Sequence, residues 1–267
     1  MQGLGRPPLP REHGAWAMLL TPPLAAMLVA GPEPLGLAAA LGWFAAYSLR
    51  GPVEVLAGHG ASGRAGMAQA EKPVARRWLT LFALSAILLL GPVVWLRPGA
   101  LLLLLSAAML LGGVYWLAEH GERRSLLAGG LAVVGLMAGA PLYWIAAQGS
   151  VPAEGWAVTY ACLAFFGGSL FRVKALARER RSAHFRWLSV LVHLLFALGA
   201  AGAGMVGWAT PWLTLALLPP LLWAVHGAVQ ASHGTAANLG RVGMAEVWLT
   251  LLFALLLIIP LRIPPGM

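Results

Sequence analysis

The segment WLTLFALSAILLLGPVVWLRPGALLLLLSAAMLLGGVYWLA, Trp78 to Ala118, carries a single charge, Arg97, set between two apolar runs. Each run approaches the roughly 20 residues that a helix needs to cross a bilayer. The apolar residues are continuous rather than alternating, which disfavours a barrel strand. In hydrocarbon every backbone N–H and C=O must be satisfied within the segment, so each run reads as a helix and the pair as a membrane hairpin turned at Arg97-Pro98-Gly99.

The same reading extends along the chain. Stretches bounded by Pro, Gly and charge predict spans at about 14–30, 35–50, 78–96, 99–118, 125–147, 156–173, 187–208, 211–229 and 243–261. The fold class is therefore all-α, a polytopic transmembrane bundle of about nine helices forming one integral membrane domain over 1–267. The first apolar stretch reads as a membrane helix rather than a cleavable signal, because it is long and no small-residue cleavage pattern follows a short core. Pro219 and Pro220 remove two backbone donors from the eighth span and should kink it.

Composition agrees. The chain is 60% hydrophobic and 10% charged, with mean hydropathy +0.78, where a soluble domain carries about 25% charge. A net charge of +9 would suggest nucleic acid in a soluble protein. Here the cations flank apolar spans, where they meet anionic lipid headgroups, so membrane lipid is the expected partner and nucleic acid is not. The one cysteine, Cys162, lies in a span and excludes an internal disulfide.

With nine spans and the N-terminus inside, only Arg97 and Arg262 of the 18 Lys and Arg residues fall outside. That asymmetry predicts a bacterial cytoplasmic membrane protein with its N-terminus inside and its C-terminus outside. The longer inner connections are expected at about 51–77, 174–186 and 230–242. The first is rich in glycine and could form a cover or a plain connector.

Three groups of residues could carry chemistry at the inner face. Arg11, Glu12 and His13 stand at the mouth of the first helix, where free N–H groups and the dipole attract anions; the alternative is an interfacial anchor built on Arg11 and Trp16. In FFGGSLFRVK, Phe165 to Lys174, the basic Arg172 and Lys174 are followed by Arg178. On a continuing helix Lys174, Arg178 and Arg181 would form one stripe suited to phosphate or carboxylate, or to anchoring on anionic lipid. Arg172 lies closest to the apolar span, where an unpaired charge costs about 2.5 to 3.5 kcal/mol. Glu54, His193, His226 and Glu246 lie in or beside spans, and such groups are expected to face the bundle interior. His226 and His233 are about 10 Å apart on one face, too far to chelate one metal, so no metal site is assigned.

The opening RxHGAWAML (Arg11 to Leu19), FFGGSLFRVKALARER (Phe165 to Arg180), and Ser189 with His193 resemble the YwiC-like family of bacterial membrane proteins, which carries no established chemistry to transfer. The layout, nine helices with functional loops after helices two and six, is similar to that of the UbiA superfamily of intramembrane prenyltransferases. That resemblance implies two Asp-rich motifs holding Mg²⁺ against a prenyl diphosphate. All nine acidic residues here are glutamate, so Mg²⁺ would have to rely on Glu54, Glu71 or Glu179, and direct neutralisation of an anion by Arg11, Arg172, Lys174 and Arg178 is favoured.

Three functions stay open. The first is binding or modification of an isoprenoid, quinone or other lipid with an anionic head group; as an enzyme this would be a UbiA-like transferase without the Asp-rich motifs. There, Glu54 or Glu179 would serve as base, and His13 or His193 as proton shuttle. The second is a small-anion transporter, against which the bland outer half argues. The third is a noncatalytic protein that binds haem or quinone or assists assembly. The substrate, the cofactor and the oligomeric state are left open.

Overall fold

The computed structural model describes residues 6–9, 13–58, 65–122, 124–177, 179, 182–210, 212–232 and 239–262. They form helices and short turns. The helices are α1 His13–Ala30, α2 Pro34–Ser48, α3 Arg50–Leu56, α4 Ala65–Leu96, α5 Gly99–Glu119, α6 Leu126–Met137, α7 Gly139–Gln148, α8 Ala153–Ala177, α9 Ala183–Met205, α10 Trp212–Ser232 and α11 Leu239–Arg262. Two breaks are slight. Leu49 alone separates α2 from α3, and Ala138 alone separates α6 from α7, each with helical dihedrals. The eleven helices thus make the nine rods expected of the sequence. Among the described residues six of these rods are long and apolar enough to cross a membrane.

The largest departure is at 51–77, expected to be a loop. Residues 50–56 and 65–77 are helical, and the second stretch is the first part of α4. A helix that projects beyond hydrocarbon needs no apolar run, so a reading keyed to apolar length places its start too late. Gly60, Gly63 and the rest of 59–64 lie outside the described residues, so the expectation of a cover is not met or refused there.

Local chemistry sets the helix ends. The Ser125 hydroxyl accepts from the Ala128 N–H at 3.1 Å to cap α6, and Ser182 accepts from Phe185 N–H at 3.2 Å to cap α9. Each satisfies one of the donors that a first turn leaves free. Between α1 and α2, Gly31 takes φ +92°, a conformation that glycine adopts without steric cost. This turn is fastened from elsewhere in the chain. The hydroxyl of Tyr143 on α7 donates to Gly31 O at 2.7 Å and accepts from Glu33 N–H at 3.1 Å.

The core is made where α1, α2, α7, α8 and α11 meet, and much of it is alanine: Ala25, Ala26, Ala39, Ala140, Ala157 and Ala161 are all buried. Small side chains let backbones approach closely, the usual basis of helix association in lipid, where apolar burial drives little. The Leu126–Gln148 and Ala153–Leu176 spans are 61% and 56% buried, against 11% for Glu71–Leu96 and 17% for Gly99–Glu119. The central pillars are therefore α6–α7 and α8, while α4 and α5 stand at the rim with leucine exposed. Trp95, Trp156, Trp208 and Trp212 are exposed at one end of the bundle, and Trp116 and Trp187 at the other. Tryptophan at both ends matches the two headgroup levels of a bilayer, and the chain is a multi-pass membrane protein.

Candidate functional site

The polar centre of the bundle is built on α8. Phe165 and Arg172 are seven residues apart on that helix, two turns along one face. On the antiparallel α11, Glu246 and Phe253 have the same separation. The two faces meet in register. Phe165 stacks on Phe253 with ring centroids 4.4 Å apart, and two turns nearer the end carrying His13, Arg50 and Lys174 (the basic end) Arg172 reaches Glu246.

Arg172 is 2% exposed and Glu246 18%. The Arg172 Nε–H donates to Glu246 Oε1 at 2.8 Å, and its Nη2 donates to Oε2 of the same carboxylate. This side-on fork uses the fixed planar donors of the guanidinium. Ser169, three residues before Arg172, donates its hydroxyl to Glu246 Oε2 at 2.7 Å. Arg172 Nη1 donates to the carbonyl of Pro220 on α10 at 3.4 Å. Three helices are thus joined through one guanidinium, and the pair carries no net charge.

A fourth helix lies against the same face. His193 of α9 is 3% exposed, and its ring packs against Gly168: a Cβ on that glycine would fall 2.7 Å from Nε2. His193 Nδ1 stands 2.7 Å from the carbonyl oxygen of Ser189, one turn earlier on α9. His193 Nε2 and the Ser189 Oγ are buried with no hydrogen-bond partner among the described residues. Gly168, against which the imidazole packs, lies one turn before Arg172 on α8. The motif FFGGSLFRVK thus supplies the Phe that registers α11, the Gly that admits His193, and the Ser and Arg that hold Glu246.

Of the residues predicted from sequence, Arg172, His193 and Glu246 come together here. Others do not. Glu54 accepts from Arg50 Nε at 2.8 Å within α3, which packs on α2 and α4. Lys174 places its ammonium 5.8 Å from the ring centroid of Phe185, a cation–π contact. Glu179 is half-buried in the turn before α9, its N–H donating to Lys174 O at 3.0 Å. α8 ends at Ala177 and Glu179 is not helical; Arg181, whose alignment with Lys174 is conditional on a continuing helix, lies outside the described residues. His226, expected to face the interior, is exposed and stacks on Trp223 at 5.3 Å. Its amphipathic ring suits an outward position beside a tryptophan. Arg11, Arg178 and the side chain of His13 lie outside the described residues, and so does His233.

Among the described residues, which include Glu54, Glu71 and Glu179, no three His, Cys, Asp or Glu side chains could hold a metal. The residues in place do not fit a Mg²⁺-bridged diphosphate. Sequence reasoning missed Ser169 and the Pro220 carbonyl. A serine three residues from a membrane arginine is a detectable sign of the first; the second is backbone and leaves no mark in composition. An open apolar groove of about 620 Å³, lined by Ile87, Leu90, Gly91, Val94, Trp95 and Pro98, lies at the far end of α4 and is separate from this centre.

A family model described as YwiC-like protein matches residues 9–144. The chain is 29% identical over 223 residues to the uncharacterized protein YwiC of Bacillus subtilis, covering 82% of this chain and 86% of that one. It is 24% identical over 252 residues to an uncharacterized protein of Haemophilus influenzae, covering 93% and 96%. No solved structure matches.

Proposed function

The chain belongs to the YwiC-like protein family, and for this member we propose binding of a lipid-soluble ligand of the isoprenoid or quinone class. Its tail would lie among the apolar helices and its head group against Arg172, Ser189 and His193. The supporting observation is a buried arginine within a membrane-spanning helix, neutralised by Glu246 and set beside two polar atoms that have no partner among the described residues. Intramembrane ionisable residues mark functional sites by default.

Because Glu246 cancels the charge of Arg172, the centre favours a polar, uncharged head group over the anionic one expected from the sequence. A diphosphate would have to draw Arg172 out of its fork. The quinone class meets the requirement directly, with carbonyl or hydroxyl oxygens on an apolar ring. The proposed setting is the bacterial cytoplasmic membrane with the basic end inside, supported by the distribution of cations and by bacterial relatives.

Purified protein in lipid nanodiscs should bind a decyl-substituted benzoquinone or benzoquinol saturably at micromolar concentration, read by quenching of tryptophan fluorescence. Geranylgeranyl diphosphate should bind more weakly. Absence of saturable binding by all three would end this reading, and preference for the diphosphate would restore the anionic head group.

A further inference from the structure

We infer that the head group received at this centre presents a hydroxyl donor, and that His193 Nε2 accepts it. The inference rests on the ligand-binding reading above and specifies the chemistry of that ligand: a hydroxyl on an isoprenoid-type or quinone-type lipid, as in a quinol or a prenyl alcohol.

The argument begins at the other ring nitrogen. His193 Nδ1 lies 2.7 Å from the Ser189 carbonyl. A carbonyl oxygen only accepts, so Nδ1 carries the proton. In the neutral imidazole that leaves Nε2 with a bare lone pair, able to accept and unable to donate. A ketone oxygen brought to Nε2 would set acceptor against acceptor. A hydroxyl would complete the bond.

The side-chain donors of Ser169 and Arg172 on α8 are already committed. Ser169 donates its hydroxyl to Glu246, and Arg172 donates from Nε and Nη2 to the same carboxylate and from Nη1 to Pro220 O. None of these bonds is made to Nε2. Ser189 Oγ, also buried and without a partner among the described residues, lies one turn from His193 on the same face of α9. Ser189 Oγ both donates and accepts, so it can serve a second oxygen of either kind. Two such atoms one turn apart match the two oxygens of a quinol ring better than a single polar end.

Only 22% of the Ala183–Met205 span is buried, and Leu191, Leu194 and Leu195 are exposed on the side of α9 turned away from His193. A lipid-dissolved ligand would therefore reach Nε2 by entering between α9 and α8.

The test uses the full chain in nanodiscs with four probes: a decyl-substituted benzoquinol kept anaerobic, the matching benzoquinone, the dimethyl ether of that quinol, and farnesol. The ether keeps ring and tail but has no donor. The quinol should bind at least about tenfold more tightly than the ether and the quinone. His193→Phe should abolish the preference for a donor, bringing quinol affinity down to that of the ether; if this variant does not fold, the ether comparison on the unaltered protein decides. Displacement of quinol by farnesol assigns the hydroxyl to lipid alcohols generally, and failure to displace assigns it to the ring; both support the inference. Equal affinity for quinol, quinone and ether overturns it while the ligand-binding reading stands. Binding of none of the four overturns both.

Discussion

Glu246 of α11 receives two N–H groups from Arg172 of α8 across 74 residues of chain, with the arginine 2% exposed. Removing one member of such a pair leaves the other charged in a medium that solvates it poorly. Glu246→Ala should therefore destabilise the folded protein by about 3–5 kcal/mol, read as unfolding in detergent. Joint replacement by Arg172→Met and Glu246→Leu should recover most of that loss while abolishing ligand binding. Equal damage from the single and double changes would mean that the pair is not the unit that matters.

Gly167 and Gly168 are adjacent in sequence and should respond oppositely to a methyl group. A Cβ on Gly168 would lie 2.7 Å from His193 Nε2, whereas one on Gly167 meets Phe196 at 3.4 Å, an ordinary contact. Gly168→Ala should cost about 1–3 kcal/mol through overpacking. Gly167→Ala should be neutral or stabilising, since alanine is favoured over glycine in a helix by about 1 kcal/mol. Thermal unfolding of both variants in one detergent checks the contrast.

Tyr143→Phe removes the hydroxyl that donates to Gly31 O and accepts from Glu33 N–H. The expected loss is about 1–3 kcal/mol, because two backbone groups are left without their partner. Ligand affinity should be unaffected, since this tie lies at the end of the bundle opposite Arg172. A fall in affinity at full folding would contradict the placement of the site.

Orientation can be read from thiol labelling. Cys162 is buried and the chain has no other cysteine, so the native protein should not react with an impermeant maleimide. Glu154 and Glu122 are exposed at opposite ends of the bundle. E154C should label in intact cells and E122C only after permeabilisation. The reverse pattern would place the N-terminus outside.

The rods of the bundle were legible in the sequence because membrane helices announce themselves by apolar length alone. So were Arg172, His193 and Glu246, since an ionisable residue within an apolar run is conspicuous wherever it pairs. Their partnership was not legible. The joining of α8 to α11 depends on which rods are neighbours, and nothing local in either segment states it, although the matching seven-residue intervals from Arg172 to Phe165 and from Glu246 to Phe253 fit the register once the neighbours are known. Errors followed the same physics. Residues 65–77 begin α4 but carry no apolar run, so apolar length gives no sign of the helix there. His226 gives the same sequence signal as Arg172 or His193, an ionisable residue within an apolar run, yet it is exposed and stacks on Trp223.

Joined in their fork, Arg172 and Glu246 also have an electrical character. A membrane potential does work of about 2.3 kcal/mol on each elementary charge moved through 100 mV. A rearrangement of α8 and α11 that carries the two ions together moves no net charge and is silent to voltage. One that leaves Glu246 with α11 while Arg172 travels with α8 moves charge through the field, and an energised membrane then favours one position over the other.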